Sequence, residues 1–313
     1  MIEKISVKEM TNDQWLEARR NSIGGSDAAT VLGLNHYNSA YSLWCDKTRK
    51  ITTEDISDRE AVRLGHDLEQ YVADRFMEAT GKKVRRENYI IKNSLYPFAH
   101  ANPDRMVIGE KAGLECKTTS SFEIEKMLEA GQIPPYWYCQ CVHYLMVTGA
   151  DRWYLGAIVF GRGFYWFTVE RDEAEISALA YAEHEFWDLV ETNTPPSIDG
   201  SESTTAAIKT IFKESDGTQI DLTGVEHVII ELITTKKRIK ELEEMQTNQE
   251  NIIKDYMGSA EKGICKYGSV TWKTSTRKSI DKKKLDKDHV VLDDKYYTVT
   301  ESRTFRTNLK EAI

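Results

Sequence analysis

N-P-D-R-M-V-I-G-E-K-A-G-L-E-C-K, residues 102–117, is the stretch that decides the fold of this chain. It holds Asp104, then a short hairpin-like segment, then Glu115 and Lys117 one residue apart. In a strand, residues i and i+2 point to the same face, so Glu115 and Lys117 project together and Cys116 points the other way, into the packing. A carboxylate and an ammonium on one face, with a second carboxylate on the neighbouring strand, make a compact hard-cation site with a proton-handling amine beside it. Mg²⁺ is commonly held by one or two carboxylates together with waters and substrate phosphates. The stretch therefore points to metal-dependent phosphodiester chemistry. The plainer alternative is a surface hairpin with ordinary charges. Against it, Pro103, Met106-Val107-Ile108 and Gly113-Leu114 put the carboxylates at the edge of buried strands. For Lys117 the plainer alternative is a salt bridge to Glu115, and both roles are compatible in a metal-free state.

Outward from this stretch, helices precede, interrupt and follow a strand cluster, which predicts a mixed α/β core. Thr11-Asn12-Asp13-Gln14 reads as a capping box that starts the first helix. Ile23-Gly24-Gly25-Ser26-Asp27 breaks the chain and restarts a helix through Leu32. Residues 59–80 carry Leu64, Leu68, Val72 and Phe76 in one apolar stripe, closed by Gly81. Strand signals run from 84 to 117, a helix is expected over 136–148, and two strands over 152–170 joined by Gly161-Arg162-Gly163. A further helix is expected over 172–192. The polar, turn-rich segment 193–201 reads as a linker, dividing a core at 1–195 from an accessory region at 196–313. Thr223-Gly224-Val225-Glu226 reads as another capping box. After it Val225, Val228, Leu232, Ile239, Leu242 and Ile253 fit heptad positions, as expected of a long helix packing on another helix or on its own domain. Residues 262–287 are lysine-rich, either a solvated face or a contact to a DNA backbone.

The chain has 313 residues and a net charge of −8, which argues against a protein that coats nucleic acid with its whole surface but not against one with a local basic groove. No apolar run reaches about 18 residues, so no membrane span is expected, and the N-terminus lacks the apolar core of a signal peptide. The 5 cysteines, at 45, 116, 139, 141 and 265, are odd in number and irregular in spacing, which favours reduced thiols in a cytoplasm. Cys139, Cys141 and His143 do not share a helical face, which argues against zinc. Trp137, Tyr138 and Trp153 read as core aromatics, with base stacking as the alternative.

Gly65-x-x-x-Glu69, Asp104, Glu115-x-Lys117 and Gln140, in that order, resemble the PD-(D/E)xK nuclease superfamily. More narrowly, R-R-N-S-I-G-G-S-D-A-A-T-V-L-G (19–33) and Q-C-V-H-Y-L-M-V-T-G-A (140–150) resemble the YqaJ/lambda-exonuclease family of phage recombination nucleases. The resemblance covers about residues 10–195. It implies a restriction-endonuclease-like core, a mixed central sheet flanked by helices, followed by a C-terminal region with a long helix and small strands. It implies catalytic roles for Glu69, Asp104, Glu115, Lys117 and Gln140. Asp104, Glu115, the backbone carbonyl of Cys116 and Glu69 would hold Mg²⁺, with Mn²⁺ able to substitute. Arg19 and Ser26 would grip a terminal 5′-phosphate, with Asp27 as an objection because of its charge. His66 is read as structural, although some related nucleases use a histidine nearby. The implied activity is 5′→3′ digestion of one strand from double-stranded DNA ends by a ring-shaped homotrimer, partnered by a single-strand annealing protein in the cytoplasm of a bacterial host. An endonuclease or end-trimming nuclease of the same fold, and a non-catalytic DNA-binding scaffold, are the alternatives.

Overall fold

The computed structural model describes residues 1–52, 58–276 and position 287. It divides into two compact units, Met1–Lys213 and Glu214–Ile313. The first unit opens with β1 (Ile2–Ser6), α1 (Asn12–Arg20), α2 (Gly25–Val31), α3 (Ala40–Lys47) and α4 (Glu60–Thr80). Strands β2 (Val84–Arg86), β3 (Tyr89–Asn93), β4 (His100–Ala101), β5 (Arg105–Val107) and β6 (Ala112–Thr119) follow. Then come α5 (Phe122–Glu129), α6 (Pro135–Thr148), β7 (Arg152–Val159), β8 (Gly163–Glu170), α7 (Glu173–Glu191) and α8 (Glu202–Ile211). The second unit holds a 3₁₀ turn (Thr223–Val225), α9 (Glu226–Met257), β9 (Lys262–Cys265) and β10 (Gly268–Thr271).

The central sheet has the order β2-β5-β6-β7-β8. Strands β6 and β7 are parallel and their neighbours antiparallel, so the sheet is mixed, as expected. A parallel pair needs a long crossover, and α5 with α6 supply it. A smaller antiparallel sheet, β1-β3-β4, lies beside it in the same unit. The period of two sorts the side chains. Leu114 and Tyr154 pack with Ala73 and Phe76 of α4 in one cluster, while Trp153, Leu155 and Ala157 belong to the larger core with Cys141, Val142 and Leu145 of α6. Cys116 packs against the α4 cluster, as the alternation predicts. Glu115 and Lys117 therefore face α6. Gly113 pairs with Trp153, and a Cβ at Gly113 would fall 2.2 Å from that indole ring, so only glycine lets the ring lie over the strand.

Local signals account for most boundaries. Thr11 Oγ1 accepts from the Gln14 amide at 3.2 Å and Gln14 Oε1 accepts from the Thr11 amide at 3.0 Å, closing the expected capping box. Helices α4 and α6 end on Gly81 and Gly149 at φ 71° and 67°, the left-handed region that glycine reaches without strain. Residues 202–211, read within the accessory region, form α8, which packs on α3 in the first unit. The capping box expected at Thr223 is absent. Thr223 instead hydrogen-bonds Asp221 Oδ1 through both its amide (3.0 Å) and its hydroxyl (2.6 Å), and α9 starts after a 3₁₀ turn.

In the second unit α9 spans 32 residues, and Val228, Ile239, Leu242 and Ile253 on it are exposed. Strands β9 and β10 form an antiparallel hairpin on which Lys262 and Lys266 are exposed. Arg277, Lys278, Lys282, Lys283 and Lys284 of the lysine-rich run lie outside the described residues. No helix among the described residues is long and apolar enough to cross a membrane.

Candidate active site

The site forms where β6, the bend before β5 and α6 meet. Asp104 Oδ2 accepts a 2.7 Å hydrogen bond from the Cys116 amide, which ties the first carboxylate to the strand carrying the second. Glu115 is 3 % exposed. Its Oε1 accepts from Lys117 Nζ at 2.7 Å and from Gln140 Nε2 at 2.7 Å. Lys117 also donates to Gln140 Oε1 at 2.8 Å. Gln140 Nε2 further donates to the Tyr144 hydroxyl at 2.8 Å, and that hydroxyl donates to the Asn102 carbonyl at 3.3 Å. Gln140 thus uses both ends of one amide to hold the acid and the amine. It sits in the second turn of α6, which begins at Pro135. Tyr144, one turn further along the same face, completes the network.

The electrostatics are those of crowded carboxylates. Burial, then the charges of Glu115 and Glu69, raise the Asp104 pKa well above the usual carboxylate range, against the Cys116 amide and Lys117. Burial alone would lower the Lys117 pKa, but the Glu115 carboxylate raises it above its ordinary value, so the amine is an ammonium. Glu115 Oε2 is buried with no hydrogen-bond partner. A buried carboxylate oxygen left without a donor is costly. The orphaned oxygen, together with a second carboxylate that resists ionising alone, is the donor set a divalent cation would satisfy.

A carboxyl whose folded pKa lies above its unfolded value, about 3.9 for Asp, contributes stability below that value and loses it as pH rises through the folded value. Without divalent cation the protein should therefore lose stability as pH rises out of the carboxylate range, and Mg²⁺ should offset that loss. Melting curves in chelator and in Mg²⁺ from about pH 5 to about pH 9 are expected to diverge with pH. Parallel curves, or no Mg²⁺ effect, would contradict the fit.

Glu69 approaches from α4, on the opposite face of the sheet from α6. It is engaged by Arg105, only 2 % exposed, and lies 3.6 Å from Arg86. The ligand atoms of Glu69, Asp104 and Glu115 are consequently not all within 4.8 Å of one another. Arg105 belongs to none of the sequence motifs. Its signal is its place directly after Asp104 on a buried strand, where an arginine needs a carboxylate. A group of potential ligands that does close to 4.8 Å is His184, Glu185 and Asp188, all exposed on α7, an arrangement common without an ion.

Arg19 and Ser26 are joined by a 3.0 Å hydrogen bond from Arg19 Nη2 to Ser26 Oγ, and the guanidinium lies 4.5 Å from the Trp15 ring centre. Asp27 does not oppose them. Its Oδ2 accepts from Lys47 Nζ at 2.7 Å and from the Gly24 amide at 3.0 Å. Burial would raise its pKa, but Lys47 first, then Arg19, lower it to about 2. Gly25 brings this loop onto the site: a Cβ there would lie 2.6 Å from the Tyr144 ring and 3.1 Å from Gln140. Gly25→Ala should push the Tyr144 ring and Gln140 away from this loop and loosen the hold of Gln140 on Glu115. We expect a stability loss of roughly 1–3 kcal/mol, as for overpacked cores. Denaturant melts check this, and an unchanged midpoint would contradict it.

The remaining sequence candidates fall into place differently. His143 is fully buried, with Nδ1 2.7 Å from Glu183 Oε1 and Nε2 2.8 Å from the His100 carbonyl. Cys139 and Cys141 are buried and free, and burial raises both thiol pKa values. Trp137 and Trp153 are core residues, while Tyr138 donates to Glu175 at 2.7 Å. His66 is exposed on α4.

The five-stranded mixed sheet, its flanking helices and the acid–amine cluster define a restriction-endonuclease-like α/β protein. Residues 14–151 match the family model of the YqaJ-like viral recombinase domain. The uncharacterized protein YqaJ of Bacillus subtilis (strain 168) is 39 % identical over 282 residues, covering 88 % of each chain. The chain belongs to the YqaJ family. Among solved structures, the alkaline exonuclease LHK-Exo of Laribacter hongkongensis, alone and in complex with dAMP, has the same fold. Both match with a TM-score of 0.50 at 19 % identity over 58 % of this chain and 94 % of theirs.

Proposed function

We propose that this chain is a metal-dependent deoxyribonuclease that digests one strand of duplex DNA from its 5′ ends. The observation that carries the reading is the Asp104–Glu115–Lys117–Gln140 network, with Glu115 Oε2 buried and unpartnered in its midst. Membership of a recombinase family and the alkaline-exonuclease fold support it. Asp104 and Glu115 would hold Mg²⁺ or Mn²⁺, with the Cys116 carbonyl and Glu69 as further ligands; Glu69 must first leave Arg105 to serve directly. When bound there, the cation would supply a water of lowered pKa and would neutralise charge on the phosphate.

The chain's own residues do the rest. Lys117, held as an ammonium by Glu115 and aimed by the Gln140 carbonyl, donates to phosphate or attacking-water oxygens as negative charge develops. Gln140 fixes Glu115 and Lys117 relative to each other, and Tyr144 fixes Gln140. The 3′-oxygen leaves, so the phosphate stays on the 5′ side of the nucleotide that follows. Arg19 and Ser26 bind the terminal 5′-phosphate, the arginine through the forked geometry of its guanidinium. A trimeric ring and a single-strand annealing partner belong to the same proposal, and light scattering of the purified chain tests the first.

Labelled linear and covalently closed duplexes test the reading. Linear DNA should be degraded from its ends while closed circles persist, and rapid cutting of circles would favour an endonuclease. Arg19→Ala should lose the preference for 5′-phosphorylated over 5′-hydroxyl ends, a charge-assisted contact worth roughly 10-fold or more in relative rate. An unchanged ratio would remove the assignment.

A further inference from the structure

Helix α9 runs for 32 residues and none of them is buried. Its axis is about 48 Å long. A helix in water draws most of its stability from packing an amphipathic face rather than from propensity, so a face of this length calls for a partner. Val228, Leu232, Ile239, Leu242 and Ile253 form that face, at a and d positions of a seven-residue repeat. All but Leu232, which is half-buried, are exposed. Thr235, Gln246 and Gln249 take the intervening a and d positions, so the seam from 228 to 253 carries no charge. Met245 and Ile252 at g positions widen the seam, and Ile229, Ile230 and Ile233 add apolar surface beside its first turns.

The charges flanking the seam select the partner. In a parallel, in-register pair, a g residue of one helix faces the following e residue of the other. Here g Glu231 meets e Lys236, and g Arg238 meets e Glu243. Each pair is five residues apart, a spacing that does not bring side chains together on a single helix, so the complementarity is between helices. The polar layers agree. In register, Gln246 meets Gln246 and Gln249 meets Gln249, and an amide offers both donors and acceptors to its copy. Gln246 also donates to Glu250 of its own helix at 3.0 Å, which fixes it at the seam. An antiparallel pair centred on Ile239 and Leu242 sets Gln249 against Leu232 and Glu231 beside Ile252, burying polar groups against apolar ones.

We infer that α9 is an interface to a second copy of this chain, in which it pairs with its own counterpart as a parallel, in-register coiled coil. The interface lies beyond residues 14–151, which match the family model, and uses none of the residues of the candidate active site. It stands whether or not the nuclease reading does. A parallel in-register pairing relates the copies by rotation about the coil axis, so the contact is closed and does not propagate into fibres.

Disulfide trapping in the full chain tests it. Val228→Cys, Ile253→Cys and Glu244→Cys are each made with Cys265→Ser, because Cys265 is exposed. After mild oxidation, Val228→Cys and Ile253→Cys should each give a disulfide-linked dimer on a non-reducing gel, and Glu244→Cys, on the opposite side of the helix, should not. Adding Arg238→Glu to Val228→Cys should slow the cross-linking, and adding Glu243→Arg as well should restore it. In the antiparallel pair each cysteine lies about 37 Å from its copy; cross-linking only when Val228→Cys and Ile253→Cys are mixed would overturn the parallel assignment. Equal cross-linking at all three positions, or none at 228 and 253, would overturn the interface, the second result being that expected if another part of the same chain covers the face. A charge swap that fails to restore the rate would overturn the facing of position 238 on 243.

Discussion

DNA hydrolysis should fall by about 10²- to 10³-fold in Lys117→Met, the usual cost of removing one donor aimed at developing charge, while the fold and DNA binding persist. Methionine keeps most of the lysine stem, and the Gln140 amide still donates to Glu115 at 2.7 Å, so the buried carboxylate keeps one partner. Asp104→Asn should fall at least as far. Its amide oxygen still accepts from the Cys116 N–H, which preserves the bend, but the negative charge that would attract a cation is gone. Asp104→Asn should also flatten the pH dependence of stability in chelator, because the group whose pKa burial and Glu115 raise no longer titrates. Rates from end-labelled duplex and circular dichroism of each variant separate lost chemistry from lost structure. A variant of either residue that hydrolyses DNA at the wild-type rate would contradict the roles assigned to them.

The largest effect on stability is expected at Glu183, which belongs to none of the sequence motifs. Glu183 of α7 and His143 of α6 are both 0 % exposed in their side chains and pair at 2.7 Å. Burial pulls the His143 pKa down, but the Glu183 charge and hydrogen bond override it and hold the ring above its ordinary value. Breaking a buried pair on one side costs about 3–5 kcal/mol because the other partner is left unpaired. Glu183→Ala should therefore lower Tm on the order of 10 °C in a unit of this size. An apolar double variant, His143→Leu with Glu183→Met, should recover much of it. The same ring donates from Nε2 to the His100 carbonyl at 2.8 Å, and His100 Nδ1 lies 2.8 Å from Ser22 Oγ. The pair thus joins α6, which carries Gln140, to the segment leading into the Arg19–Ser26 loop. Thermal melts of the single and double variants decide this, and a Glu183→Ala protein that melts with wild type would contradict it.

Most of the core was legible in the sequence because its signals are local. The alternation in A-G-L-E-C-K correctly put Glu115 and Lys117 on one face and Cys116 in the packing, and the glycine at 81 correctly closed α4. What was not legible depends on partners distant in the chain. Arg105 pairs with Glu69 36 residues away, and neither residue alone shows that the helix glutamate is occupied. The fate of Asp27 likewise depends on Lys47, 20 residues on, which cancels the charge that had argued against a phosphate beside Ser26. The capping box read at Thr223 failed for the opposite reason: Asp221, two residues upstream, offered a nearer acceptor.

The central claim is that Asp104, Glu115 and Lys117 act on the phosphodiester chain through a divalent cation. Its most direct test is release of nucleotide from a 5′-labelled linear duplex by the wild-type chain, with Mg²⁺, with chelator, and with Mg²⁺ restored. The account predicts progressive release of labelled mononucleotide in Mg²⁺, none in chelator, and full recovery on restoration. Release that persists in chelator, or none in Mg²⁺ or Mn²⁺, would contradict it.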